Sequence, residues 1–131
     1  MQESRISFNT TTLAKEKGFN LDCDRYYQDS PRAGSFAINN INNSLIDELH
    51  KEDPNCVIYY ACPTQSLLQK WMREVHNIHI VVDLPWIKNG WEATIIDLLT
   101  GNKFLTIREY NKYHTYEEVL EEGLYQALKM I

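Results

Sequence analysis

Two cysteines and two histidines carry the densest potential chemistry in the chain. Cys56, Cys62, His76 and His79 follow one another with five, thirteen and two residues between them. Thiolates and imidazoles are ordinary zinc ligands, but structural zinc sites space them two to four, about twelve, and three to five residues apart. The series lies close to those windows and outside them. His76 is expected at the end of a helix, where a cation suits the dipole, and His79 on a strand with its side chain opposite to Ile78 and Ile80. Ordinary thiols and histidines are the simpler reading. Cys62 precedes an expected helix N-terminus, a position that lowers a thiol pKa, but a nucleophile also needs a histidine within hydrogen-bond reach. Its neighbours Ala61, Pro63 and Thr64 add no catalytic signature, so it reads as a small buried residue. Asp83, Glu92 and Asp97 are strand-end carboxylates, more simply solvated than paired for acid–base work. The chain is therefore not read as an enzyme. No catalytic residue, metal ligand or cofactor is assigned.

Aromatic content gives a better lead. Trp86 stands in an expected loop, and Tyr59, Tyr60, Tyr110 and Tyr113 fall near element ends. Tyrosine and tryptophan are favoured at protein contacts, although they also seal the edges of small sheets. The candidate interaction surface is Trp86, Lys88, Lys70, Arg73, Tyr110 and Tyr113. An exposed edge strand offers a second route, extending the sheet with a partner or with another copy. The alternative is nucleic-acid binding on a local patch of Lys70, Arg73, Lys88 and an aromatic.

These residues are positioned by an expected α+β core in the order helix, three strands, helix. Leu67, Leu68, Trp71, Met72 and Val75 mark one face of a helix over 63–76, with Pro63 in its first turn. Alternation over 78–82 and 91–96, then 103–108, predicts three strands. Asn89-Gly90 and Thr100-Gly101-Asn102 supply the turns of an antiparallel meander. Positions 116, 119, 120, 123, 124, 127, 128 and 131 form the apolar face of a last helix, opened by a capping box of Thr115 and Glu118. Gly123 sits on that face, where close packing on the sheet is its simplest reason. Residues 1–56 read as an irregular N-terminal part. They carry a short helix over Phe8 to Lys17, capped by Ser7 or a following threonine and stopped by Gly18. One strand is expected near Arg25 to Gln28, then turns, then helical turns around Leu45, Ile46 and Leu49. Val57 to Ala61 is a further strand, grouped with the core over 57–131.

At 131 residues the chain fits a single domain able to bury about two-thirds of its unfolded surface. Eighteen acidic against thirteen basic residues give a net charge of −5, which weakens passive binding to nucleic acid or anionic lipid. The odd cysteine count and the lack of an apolar stretch of membrane or signal length predict a cytoplasmic protein with no membrane contact. Oligomeric state is left open.

Two blocks carry a resemblance: Ala61-Cys62-Pro63-Thr64-Gln65-Ser66-Leu67-Leu68-Gln69-Lys70-Trp71, continuing to His79, and Tyr113-His114-Thr115-Tyr116-Glu117-Glu118-Val119-Leu120-Glu121-Glu122-Gly123-Leu124. With Leu13-Ala14-Lys15-Glu16-Lys17-Gly18-Phe19, they resemble small uncharacterised proteins encoded in phages and prophages of gut Bacteroidales. The resemblance implies only an intracellular, phage-linked setting; the surplus aromatics, the acidic balance and the lack of a catalytic constellation make an unidentified phage or host protein the expected partner. The resemblance implies no activity. The element order is also similar to that of the double-stranded RNA-binding domain, whose last helix begins with lysines that grip phosphates. Here that helix opens with Glu117, Glu118, Glu121 and Glu122, which would repel them.

Overall fold

The computed structural model describes residues 4–21, 23, 25–30, 34–39, 58–84, 90–108 and 112–131. Two compact units are distinguished, Arg5–Pro63 and Thr64–Ile131, the second including Met1–Ser4. In the first unit, helix α1 spans Phe8–Glu16. Ser7 caps it, its hydroxyl accepting from Thr10 N at 3.3 Å and its carbonyl from the Thr11 hydroxyl at 2.8 Å. Gly18, at φ +97°, ends it as the backbone turns for Phe19 N to reach Ala14 O at 2.9 Å. The N-cap is thus Ser7, while Thr10 and Thr11 are buried beside Ile6, Ala14 and Phe19.

Strand β1 (Arg25–Ser30) lies between β2 (Gly34–Asn39) and β3 (Ile58–Ala61), antiparallel to both. The strand expected at Arg25 to Gln28 is present and two residues longer. Part of the segment expected to be irregular is instead a strand, because Gly34–Asn39 pairs with β1 along its whole length, from Ser30↔Gly34 to Arg25↔Asn39. β3, grouped by sequence with the C-terminal core, pairs with β1 through Tyr26↔Ala61 to Asp29↔Ile58. The helical turns expected around Leu45 to Leu49 lie outside the described residues.

The second unit has the expected order: α2 (Gln65–His76), β4 (Ile78–Asp83), β5 (Glu92–Asp97), β6 (Lys103–Ile107) and α3 (Tyr116–Lys129). The three strands form an antiparallel sheet ordered β4-β5-β6. Thr64, rather than Pro63, begins α2: its hydroxyl accepts from Leu67 N at 3.2 Å, which places Pro63 one residue before the cap. Asn77, left-handed at φ 56°, ends α2 and hands directly to β4. Leu68, Trp71 and Met72 are buried as the periodicity expects, but Val75 in the last turn is exposed. Gln65 is buried in the first turn, where its amide donates to Glu117 O at 2.9 Å.

Thr115 caps α3, accepting from Glu118 N at 3.1 Å. Six residues of α3, namely Val119, Leu120, Gly123, Leu124, Ala127 and Leu128, are buried with Ile78, Ile80, Ala93, Ile95 and Ile107 of the sheet. Each leucine- or isoleucine-sized side chain buried this way contributes about 1.5–3 kcal/mol. Among the described residues, no helix is long and apolar enough to cross a membrane.

Candidate interaction surface

The register places side chains in rows across the C-terminal sheet. Ile80, Ile95 and Leu105 form one row, and Val82, Ala93 and Ile107 another. The opposite face carries Val81, Thr94 and Thr106, with the two threonine hydroxyls 3.3 Å apart. Ile80 and Ile95 are fully buried, but Leu105 at the end of their row is 38% exposed. Among the described residues β6 is paired on one side only, with β5, and its first four residues are exposed. A strand with an unpaired side presents unsatisfied N–H and C=O groups, and here it presents Phe104, 51% exposed, as well. A bulge between Ile95 and Ile96, with Ile96 opposite Lys103, interrupts the ladder at Phe104.

The turn before β6 extends the apolar edge. Leu98 is half-exposed and Leu99 is 77% exposed. The backbone carrying them is held firmly. Asp97 accepts from Leu99 N through one carboxylate oxygen at 3.0 Å and from the Thr100 hydroxyl through the other at 2.9 Å. Asn102 N donates to the Thr100 hydroxyl at 3.2 Å, Gly101 N to Asp97 O at 2.7 Å, and Leu98 N to Asn77 O at 2.8 Å. Gly101 takes φ +78° to close the turn. Leucines on an ordered backbone lose little further entropy on meeting a partner. Neither leucine was singled out by sequence; the available signal was two consecutive apolar residues in a turn, where polar residues are the norm.

The other side of the sheet differs. The Gln69 side chain of α2 donates to Ile80 O in β4 at 2.8 Å, so the domain's own helix already engages that strand's backbone.

Of the sequence-derived surface, Tyr113, Lys70 and Arg73 are among the described residues. Tyr113 is only 6% exposed, a core residue whose carbonyl accepts from Trp91 N at 2.8 Å, with Lys112 Nζ 5.4 Å from its ring. It is buried because Gly90 and Trp91 close onto its backbone. Lys70 is exposed but lies 3.9 Å from Glu74 one turn along α2, so its charge is partly spent. Arg73 is half-buried on the same helix. Trp86, Lys88 and Tyr110 lie outside the described residues. Trp91 and Tyr116 meet edge to face at 5.8 Å, the sealing role that aromatics at element ends can also take.

The groups read for chemistry are dispersed. Cys62 is 1% exposed, with its thiol donating to Ile6 O at 3.7 Å, and Cys23 is also buried. Cys56 lies outside the described residues. Among those described, no group of three or more His, Cys, Asp or Glu is placed to hold a metal ion. Asp83 and Glu92 are cross-strand neighbours, with Glu92 paired to Arg108, whereas Asp97 is at the far end of β5 and committed to its turn.

His79 shares a row with Ile96 and Lys103, and its Nδ1 is buried with no hydrogen-bond partner among the described residues. Burial, then the nearby Arg73 guanidinium, hold its pKa below the ordinary value. The unfolded chain therefore takes up this proton at a higher pH than the folded one. Stability from this group is fully present above the unfolded value of about 6.5 and declines as pH falls below it toward the folded pKa. In urea titrations run from about pH 7.5 to about pH 5, His79→Gln is expected to flatten this part of the profile. An unchanged slope would assign the proton uptake elsewhere.

No family model, curated protein or solved structure matches the chain.

Proposed function

We propose that the protein is non-enzymatic and works by protein–protein contact, with the open side of β6 and the β5–β6 turn as its contact surface. The observation that carries this reading is the concentration of exposed apolar residues on one strand and its turn. Leu98, Leu99, Phe104 and Leu105 lie within eight residues, beside a strand edge that no other described strand pairs. Backbone pairing supplies affinity in strand addition, and flanking apolar side chains supply selectivity. The setting is the phage-linked bacterial cytoplasm that the sequence resemblance implies, and the partner a phage or host protein.

The test is affinity capture from phage-bearing host lysate, with and without nuclease, using the native chain, Phe104→Lys and Leu99→Lys. Both substitutions fall at exposed positions, so the fold should survive, as circular dichroism would verify. The native chain should retain a nuclease-resistant protein at near-equal amount, and each variant should retain about tenfold less, the loss of roughly 1.4 kcal/mol. Retention indifferent to both substitutions would overturn the assignment of the surface. Nuclease-sensitive recovery that falls steeply with salt would replace the reading with nucleic-acid binding.

A further inference from the structure

We infer that the occupant of the β6 edge is the β6 of a second copy of this chain, running antiparallel about a two-fold axis through Thr106. This rests on the reading of β6 as a contact surface and names the partner. The stretch Phe104-Leu105-Thr106-Ile107-Arg108 is complementary to its own reverse. A two-fold axis perpendicular to the sheet sets Thr106 against the second copy's Thr106 and Leu105 against its Ile107. Phe104 then falls against the second copy's Arg108.

Each pairing continues a row already present in the fold. Ile80, Ile95 and Leu105 end at an exposed leucine, and the second copy's Ile107 extends that apolar row where it now meets water. The Thr94–Thr106 hydroxyl contact becomes a line of four threonines crossing the junction. Arg108, already anchored to Glu92, brings its guanidinium to the exposed Phe104 ring of the other copy. The neighbouring symmetric register, centred on Leu105, would set Phe104 against Thr106, breaking the threonine line and the Phe104–Arg108 pair, and would set Lys103, which the bulge leaves on the threonine face, opposite Ile107 of the buried face. Because the bulge at Phe104 breaks the regular spacing of β6 before Lys103, the regular pairing is confined to five residues and the association is concentration-dependent.

A register-specific cross-link tests this. Directly opposed antiparallel residues have Cα atoms about 4.5–5.5 Å apart, within reach of a disulfide. In full-length chain carrying Cys56→Ser, with Cys23 and Cys62 left in the interior, Thr106→Cys is expected to form disulfide-linked dimers under mild oxidation. Leu105→Cys, displaced two residues from its own counterpart, should form at least tenfold less. Sedimentation of the native chain should show a monomer–dimer equilibrium that Phe104→Lys abolishes. Equal cross-linking at the two positions would overturn the register. A strictly monomeric native chain whose capture of another protein is still lost in Phe104→Lys would overturn self-pairing and leave β6 as the contact surface. A monomer with capture unaffected would overturn both.

Discussion

Gly123→Leu is expected to abolish folding of the C-terminal unit, and Gly123→Ala to lower stability by about 1–2 kcal/mol, although alanine is the better helix former. A Cβ at this position would lie 2.9 Å from Ile80 Cγ2 and 3.3 Å from Ala93 Cβ. Ile80 and Ala93 are both fully buried, so neither has solvent to retreat into. Overpacking a tight core costs about 1–3 kcal/mol, and the propensity gain of up to about 1 kcal/mol offsets only part of it. A four-carbon side chain has nowhere to go without separating α3 from β4 and β5. The argument is sharpened by a double-mutant cycle in urea. Ile80→Ala alone costs about 2–5 kcal/mol, and in that background Gly123→Ala becomes neutral or stabilising, because the obstructing methyl is gone. Equal costs in both backgrounds would show that close approach is not why glycine stands there.

Gly90→Ala is the second large effect, expected to remove about 2–4 kcal/mol. Two causes act together. The backbone at Gly90 has φ +110°, a region that L side chains rarely enter, and a Cβ there would lie 2.9 Å from the carbonyl oxygen of Tyr113. That oxygen accepts the Trp91 N–H at 2.8 Å, so relief of the clash stretches the bond that ties the start of β5 to the segment leading into α3. A flexible side chain could swing aside, but a backbone carbonyl cannot. The denaturation midpoint should fall with an unchanged m-value, and the Trp91 amide should lose its protection from hydrogen exchange. A well-protected Trp91 amide in the variant would mean that the junction adapts, and the effect would then be strain alone.

The C-terminal unit was legible because its signals are local. The stripe of α3 and the Thr115 cap lie within one helix, and the alternation of β4 and β5 needs no knowledge of distant residues. Thr100-Gly101-Asn102 likewise announces its own turn. Strand β2 was not legible, since Gly34, Ser35 and Asn39 read as loop residues, and only Phe36 and Ile38 at period two hinted otherwise. Pairing with β1 overrode the poor strand propensity, and pairing is not written within the segment itself. Gln65 was unreadable as core for a related reason: its polarity is compensated by Glu117 O, fifty-two residues away.

The contact surface was the least accessible part. Residue type singled out tyrosines and basic side chains, but exposure decides what a partner can touch, and exposure is set by packing. Tyr113 is buried, and its carbonyl accepts from Trp91 N. Leu99, the least aromatic of candidates, went outward because Asp97 and Thr100 hold its turn. Which strands end the sheet could be identified only from the folded register, which sets β4 and β6 at its flanks among the described strands.

The hydrogen bond from Gln69 to the β4 backbone has a consequence for growth. A sheet open on both flanks can add strands without limit, which is the route to fibres. Here one flank is latched by the molecule's own helix and the other is available. Within the C-terminal sheet, addition at β6 leaves outermost only the β4 strands, each engaged by its own helix. If pairing at β6 occurs as inferred, Gln69 acts as its stop, and Gln69→Ala should then let the assembly elongate, visible as turbidity or thioflavin binding at concentrations where the native chain stays clear.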